Sequence, residues 1–537
     1  MLSSSVAASA IATSLLRVIN NVHKARLFGA LVIVIALLGA CTLQSPSVLP
    51  SSQPSSASST VATVSQPKKA VVGIPQDLDS LDPHLSTATG TQEVMFNIFT
   101  GLVNTDVRGA IVPELAESWT ISEDQLTYTF ILRQGAVFHN GDPVRPQDVV
   151  YSYQRLRGQT GEHDSRLSSA LDAVGEISFT LPNVVSLHLT RVDSSLLGKL
   201  LLPIIPEGSG PEQKDHPIGA GPFSFLSYTP GVGIRMVKHQ GYYLPGQPYL
   251  DEVVFRICLD SNAAFLALQN GEIDILNVTK EQRDVLLNRA GIEVLATPQN
   301  MPQLMAFNLG YEPFADIRVR QAVNHAINKD LIIQMLAPGS QKLGTNFCEV
   351  MEFYAARGLE DTYPYDPQKA RELLEEAGYS NLSFTLRVPS EYIFHLETAQ
   401  LIQMQLNQVG VHMTIDPIPF DTWLDQVYTG FNHQATLIGL TGKLDPDAIL
   451  GRFASNHRNN FMQYHNPEVD ELLQMGRGTA IEAERAPYYK EIQTILAEEV
   501  PAVFIMDITL YRAVNSRLTG LLTYPIGYID MKTVDLR

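Results

Sequence analysis

A basic patch, a short apolar run and a cysteine open this chain, and an uncharged Ser/Pro stretch separates them from everything able to fold. Arg17, Lys24 and Arg26 precede Leu27 to Leu38, which holds no charge and no proline, and Leu38-Gly39-Ala40-Cys41 closes the run with small residues. The run is shorter than the roughly 20 residues a membrane span needs. Its basic, apolar, small order is that of an export signal. A cysteine straight after the small residues reads as a lipid-modified N-terminus, with a signal peptide over 1–40 and lipid attachment at Cys41. An uncleaved anchor helix and a plain secretory signal are the alternatives. Residues 42–67 are mostly Ser, Pro, Thr, Ala, Gln and Val. Such a segment buries too little apolar surface to offset its ordering entropy, so 41–67 is expected to be an extended tether.

The 470 residues that remain of the 537 are too many for one hydrophobic core, and two or three lobes are expected. Hydrophobic content of 45% and charged content of 18% are those of an ordinary folded protein. The first 40 residues hold three of the 38 basic residues and no acid, which leaves 35 bases against 56 acids, a net −21. A surface of that sign repels polyanions and argues against nucleic acid as a partner. Beyond Cys41 the only cysteines are Cys258 and Cys348, enough for one bridge or two thiols but not for a disulfide framework.

Short β-like runs alternate with well-punctuated helices from Lys68 onward, the pattern of a mixed α/β chain. Ala70-Val71-Val72-Gly73-Ile74, ended by Pro75, reads as a strand. Asp316 is a good N-cap ahead of the stripe Val319, Ala322, Val323, Ala326 and Ile327. Asp366-Pro367 opens a second helix with the stripe Ala370, Leu373, Leu374 and Ala377, and Gly378 stops it. A third helix is expected over 397–408, followed after Gly410 by a strand over 411–415.

Catalytic constellations are missing. There is no H-E-x-x-H, no G-x-S-x-G and no phosphate loop. Gly219-Ala220-Gly221-Pro222 lacks the third glycine of a dinucleotide fingerprint and reads as a tight turn before Phe223. The 13 histidines are scattered. His139 lies in a turn-like segment, His412 in a strand, and His457 and His465 stand in a polar loop not far from Asp445 and Asp447, where a metal site would need several of them to converge. A solvated loop is the simpler reading. With 56 acids, carboxylate pairs suited to glycoside hydrolysis arise by chance alone.

A series of blocks then carries a resemblance. Leu81-Asp82-Pro83-His84, Phe99-Thr100-Gly101-Leu102-Val103, Pro113-Glu114-Leu115-Ala116-Glu117-Ser118-Trp119 and Tyr128 to Gly135 come first. Phe138-His139-Asn140-Gly141, Asp148 to Ser152, Gly219 to Phe223, Gly271-Glu272-Ile273-Asp274, Asp316 to Ala322, Tyr365 to Tyr379 and Asp445-Pro446 follow in order. Over nearly all of 70–530 the chain resembles the extracytoplasmic solute-binding proteins of ABC importers, of the peptide/nickel-type (family 5) class. The resemblance implies a two-lobed periplasmic-binding-protein-like α/β fold of type II, in its large class with an extra subdomain and a hinge. Its expected parts are lobe I over 68–305 with an insert at about 111–212, lobe II over 306–509, and a return to lobe I over 510–537. It also implies a monomer that closes on a small solute, peptide-like before other polar classes, and hands it to a membrane permease. The lipid would hold the receptor at the membrane, facing periplasm or cell surface, close to that permease. No cofactor, no metal and no catalysis are implied. A secreted hydrolase on the same scaffold and a solute sensor for a signalling partner are the competing readings.

In oligopeptide-binding members one pocket wall follows the Leu-Asp-Pro-His block, which by position gives Thr87, Ala88 and Thr89. Their hydroxyls suit ligand hydrogen bonds or turn capping equally. The opposite wall precedes the second Asp-Pro pair, giving Leu440, Thr441, Gly442, Lys443 and Asp445. Peptide binders usually carry an aspartate where this chain has Gly442, so an α-ammonium would lose its carboxylate there unless Asp445, Asp447 or a small shift restores an acid. Lys443 could meet an anionic group. Nickel-type relatives use aromatic residues around this motif; here Leu440 and Leu444 stand in it, which disfavours a metal chelate. Trp423 suits stacking on a ligand ring or a place in the core.

Overall fold

The computed structural model describes residues 67–86, 88–160, 168–440, 443–524 and 527–537. The expected signal peptide, Cys41 and nearly all of the tether lie outside them, as do Thr87, Thr441, Gly442 and the side chain of Thr89. Among the described residues no helix is long and apolar enough to cross a membrane.

A single long sheet joins two lobes. In chain order its strands and those of the insert are β1 (Lys69–Ile74), β2 (Ala116–Ile121), β3 (Thr127–Leu132), β4 (Val174–Thr180), β5 (Val184–Leu189), β6 (Phe223–Thr229), β7 (Gly233–Lys238), β8 (Glu252–Ile257), β9 (Ile275–Val278), β10 (Ile292–Phe307), β11 (Ser383–Pro389), β12 (His412–Ile418), β13 (Ala435–Gly439) and β14 (Ala502–Asn515). The sheet runs β12-β11-β13-β10-β14-β9-β1-β8-β7-β6, and the short strand Gln341–Lys342 adds to β14. The insert carries its own antiparallel sheet, β2-β3-β5-β4.

The middle of that order is decisive. β10 and β14 are antiparallel neighbours, paired from Ile292↔Asn515 to Pro298↔Thr509 and again from Pro302↔Asp507 to Ala306↔Ala502. Their first stretch lies beside β9 of lobe I, where Ile275 pairs with Val514. Their second lies beside β13 of lobe II, where Phe307 pairs with Ala435. Between Pro298 and Pro302 the register breaks, so that Gln299, Asn300 and Met301 oppose Ile508 alone. This is an enlarged β-bulge, which bends a strand and interrupts its ladder, and a second break in register follows between Gln303 and Leu304. Two strands with a bulge between their halves are the connection across which the lobes can turn.

Each lobe has its own core. Lobe I packs Ala70, Val72, Ile234, Phe255, Ile275 and Val514, and its insert packs Tyr128, Phe130, Val149, Tyr153 and Leu187. Lobe II has a core on each face of its part of the sheet, because residues alternate sides along a strand. Met305 and Phe307 enter one core with Phe314, Val323, Leu374 and Ile402. Leu304 and Ala306 enter the other with Trp423, Phe461 and Tyr489.

The helices used below are α1 (Thr89–Met95), α2 (Pro146–Leu156), α3 (Ile317–His325), α4 (Pro367–Glu376), α5 (Ile393–Asn407), α6 (Pro446–Leu450) and α7 (Glu482–Glu499), and further helices, among them Ser261–Gln269, Lys329–Leu336 and Pro467–Arg477, lie between them. Asp316 caps α3 by accepting the Arg318 amide. Asp366 caps α4 through the amides of Gln368 and Lys369, and Gly378 takes φ +81° just past its end. Helix α5 starts four residues ahead of the expected 397, because its N-cap, Tyr392, offers no side-chain hydrogen bond that marks a start. The strand expected at 411–415 is β12, running on to Ile418.

Gly219-Ala220-Gly221-Pro222 is a turn into β6, pressed against the chain at Asn97 and Ile98. Gly221 N–H donates to the Ile98 carbonyl at 2.9 Å, and a Cβ on Gly219 would lie 2.2 Å from that same oxygen. His139 is half-buried there, its Nε2 3.1 Å from the Gly221 carbonyl. Cys258 and Cys348 are unpaired, the first half-buried and the second buried.

Candidate functional site

The Leu81-Asp82-Pro83-His84 block is a pinned corner. Asp82 accepts both ends of the Arg155 guanidinium, at 2.9 and 2.6 Å, with both side chains buried. His84 Nε2 sits 2.8 Å from the Pro203 carbonyl, tying the corner to the insert. Asp79 gathers the residues that follow: its carboxylate accepts Ser86 Oγ–H at 2.8 Å and the Ala88 amide at 3.0 Å. Ala88 is thereby fixed as the residue leading into α1.

The segment expected as the opposite wall is contacted at its described residues from the bulge of β10. Asp507 Oδ1 accepts the Met301 amide at 2.8 Å, and the Asn300 and Gln299 amides also point at that carboxylate. Burial outweighs these donors and pushes Asp507 up to about 6. Asn300, at φ +51°, donates from Nδ2 to the Lys443 carbonyl at 3.1 Å. The Leu440 amide donates to the Pro302 carbonyl at 3.0 Å. His395 Nε2 lies 3.0 Å from the Gly439 amide nitrogen, and its Nδ1 lies 2.9 Å from Gln303 Nε2. Burial pulls His395 down to about 4, and the ring is neutral at ordinary pH.

Asp445 is bound within the wall. It caps α6 by accepting the Asp447 amide at 2.9 Å, and it takes both terminal nitrogens of Arg485, at 2.9 and 3.3 Å. Arg485 is 3% exposed, with the Tyr354 and Tyr489 rings beside it at 5.7 and 5.2 Å. Burial opposes the Arg485 cation, yet the Asp445 carboxylate holds its pKa above the ordinary value. Arg485 also donates to the Ser194 carbonyl of the insert at 3.0 Å, and so touches both lobes.

A cleft of about 730 Å³ opens beside that contact. Arg108, Trp119 and Leu197 line it from lobe I and its insert; Phe353, Leu444, Asp445 and Lys490 line it from lobe II. Arg108 and Lys490 have no ion-pair partner among the described residues. Pro83, Ser86 and Gln92, which flank the first expected wall, border a different hollow inside lobe I.

The expected site residues thus fall unevenly. Ala88, Leu440, Lys443 and Asp445 stand where described, Lys443 exposed and Leu440 buried against the lobe II core. Trp423 is 2% exposed, stacked on Phe420 with its Nε1–H donated to Thr436 at 2.8 Å. The expectation that it faces a ligand is therefore corrected: its polar edge is satisfied by β13 and its rings fill the core. The cleft tryptophan is Trp119. Sequence reasoning missed Arg485, Asn300 and Asp507; the nearest sign of Asn300 is its place between Pro298 and Pro302. His457 accepts the Asn459 amide at 3.1 Å in a loop. Among the described residues no three or more His, Cys, Asp or Glu side chains gather as metal ligands.

Comparison with known proteins follows this geometry. Residues 110–461 match the family described as bacterial extracellular solute-binding proteins, family 5 Middle. The glutathione-binding protein GsiB of Escherichia coli O1:K1 / APEC is 28% identical over 496 residues, covering 88% of this chain and 95% of its own. The unliganded open form of MppA, a periplasmic murein tripeptide binding protein, superposes with a TM-score of 0.79 at 23% identity, over 88% of this chain and 98% of its own. DppA from Helicobacter pylori, in complex with the peptide STSA, gives 0.69 at 26% identity over the same shares.

Proposed function

Because the chain belongs to the bacterial extracellular solute-binding proteins of family 5, we propose that it captures a small, peptide-like, acidic solute between its lobes and delivers it to an ABC permease. The observation that carries this reading is the pair β10 and β14. They join the lobes with two breaks in register, and a cleft elsewhere is lined from both lobes. A solute that touches both walls favours the closed arrangement by its differential affinity for it, and no covalent change in the solute is needed. The better match to an unliganded open relative than to a peptide-bound one supports reading the described arrangement as open.

The acidic preference rests on Arg108 and Lys490, cations on opposite sides of the cleft with no carboxylate of their own among the described residues. A peptide with two carboxylates would supply both counter-charges on closure. A glutathione-binding relative supports the same size and charge. The wall we assign to the solute on the lobe II side is 440–445, of which Leu444 and Asp445 line the cleft. Asp445 acts there through its hold on Arg485. Export and lipid attachment at Cys41 complete the reading and keep the receptor near its permease.

The test uses the soluble chain from residue 68 with Trp423→Phe, which leaves Trp119 as its single tryptophan. Glutathione and a panel of di- to tetrapeptides are titrated, with fluorescence and X-ray scattering recorded. Capture predicts a Trp119 change together with a smaller radius of gyration, and at least tenfold weaker binding in Arg108→Met and Lys490→Met. An unchanged radius with every solute, or consumption of one of them, overturns the reading.

A further inference from the structure

We propose that lobe I contains a second binding site, a cavity that takes a small organic ammonium between the Phe96 and Tyr528 rings and the carboxylate of Glu114. The cavity measures about 170 Å³. Its lining comes entirely from residues 83–114, 199–222, 242 and 528–532, with none from lobe II. Most of that lining is apolar or aromatic: Met95, Phe99, Leu202, Tyr242 and the Phe96–Tyr528 pair, whose ring centroids are 4.5 Å apart.

Glu114 is the group that asks for a partner. It is 6% exposed, and its two oxygens receive neutral donors only, Asn104 Nδ2–H at 3.0 Å and the Tyr243 hydroxyl. Neither cation near it closes an ion pair. Lys532 Nζ lies 3.1 Å from Asp530, and Arg133 donates from Nε to the main-chain carbonyl of Glu114 while its guanidinium lies over the Tyr243 ring. Asp530 is itself satisfied by Lys532 and by the Tyr524 hydroxyl at 2.8 Å. A buried carboxylate without a counter-ion is costly, and a ligand cation relieves that cost. Aromatic faces add attraction for the same charge. The size sets the body: an apolar cavity of about 150 Å³ holds benzene, so one ring with an aminomethyl group fits.

That ammonium has two sources, a free amine held by lobe I alone or the amino group of the solute captured between the lobes. Benzylamine is the probe, titrated by calorimetry near neutral pH beside toluene and benzoate. The expected result is benzylamine binding at least tenfold tighter than either, with Glu114→Gln weakening it at least tenfold and leaving toluene unchanged. Gln92→Trp, at the half-buried rim, blocks the cavity without touching Glu114 and should abolish binding of both. Displacement of benzylamine by glutathione assigns the ammonium to the captured solute, and simultaneous occupancy assigns it to a free amine. Toluene or benzoate binding as tightly as benzylamine, or undiminished benzylamine binding in folded Glu114→Gln or Gln92→Trp, overturns the proposal.

Discussion

Asp507 and Met301 face each other across the bulge, the carboxylate accepting the amide at 2.8 Å where β10 has three residues against one of β14. A strand interruption normally leaves amides without partners, and here a buried carboxylate takes one of them, that of Met301. Burial and the same carboxylate push the Cys348 thiol well above its ordinary range, so this cysteine is an inert neighbour.

Asp507 gives the hinge a pH dependence of known sign. Its folded pKa, about 6, lies above the ordinary aspartate value of 3.8, so the folded protein binds the proton more tightly than the unfolded chain. The stabilisation is complete below 3.8 and is lost as pH rises through 6. Asp507→Asn cannot ionise. From pH 4.5 to 7.5 its stability relative to wild type should rise by about 2 kcal/mol, read from urea unfolding at the two pH values. A constant difference would mean that Asp507 titrates no higher in the fold than outside it.

Asp445→Ala should be among the most damaging substitutions in lobe II. It leaves the Arg485 guanidinium buried without its carboxylate, at about 3–5 kcal/mol, and removes the cap of α6, at about 1 kcal/mol. Arg485→Met should be milder, since no buried cation then remains, although Asp445 keeps its capping role. Chemical denaturation of the two variants measures the order, and equal losses would show that the charge is not what matters.

Local signals were legible and distant ones were not. Asp316 and Asp366 cap helices through amides two or three residues away, so four letters suffice to find them. Gly219 to Pro222 reads as a turn for the same reason, while the carbonyl of Ile98 that demands its glycines is over a hundred residues distant. The hinge was hidden because Pro298 and Pro302 argue for a loop, and only partners from two lobes make one strand of the whole run. Arg485 lies forty residues from Asp445 on another helix, and no spacing rule links them. The two places open to Trp423 could not be told apart, because aromatic residues look alike to a sequence reader whether a core or a ligand covers them.

His433 predicts an acid-side effect opposite in sign to that of Asp507. Its ring is 7% exposed and neither nitrogen finds a hydrogen-bond partner among the described residues. Burial, helped by the Arg387 charge, pulls its pKa from 6.5 down to about 4. The stabilisation of the neutral ring is present above 6.5 and is lost as pH falls through 4, because the unfolded chain takes the proton first. His433→Phe keeps the shape and removes both the unmet polar atoms and the titration. It should gain about 1 kcal/mol at pH 7.5 and about 2 kcal/mol more at pH 5. Unfolding curves of the two proteins at those pH values decide it, and a smaller gain at pH 5 than at 7.5 contradicts the assignment.

Asn300 connects the bulge to Lys443 of the proposed solute wall, and two substitutions separate its roles. Its side chain ties the bulge to the Lys443 carbonyl, and its backbone holds φ +51°, a conformation that asparagine and glycine tolerate and alanine resists. Asn300→Gly and Asn300→Ala both remove the tie. Only alanine adds the backbone penalty, about 1 kcal/mol. If the tie positions the wall, the two variants should lose the same factor in solute affinity, about three- to tenfold, while alanine alone is further destabilised. Isothermal titration with a captured peptide reads the first quantity and urea unfolding the second. Affinity that follows stability instead, weak in alanine and intact in glycine, would mean that the bulge matters for its shape and that its bond to Lys443 does not reach the solute.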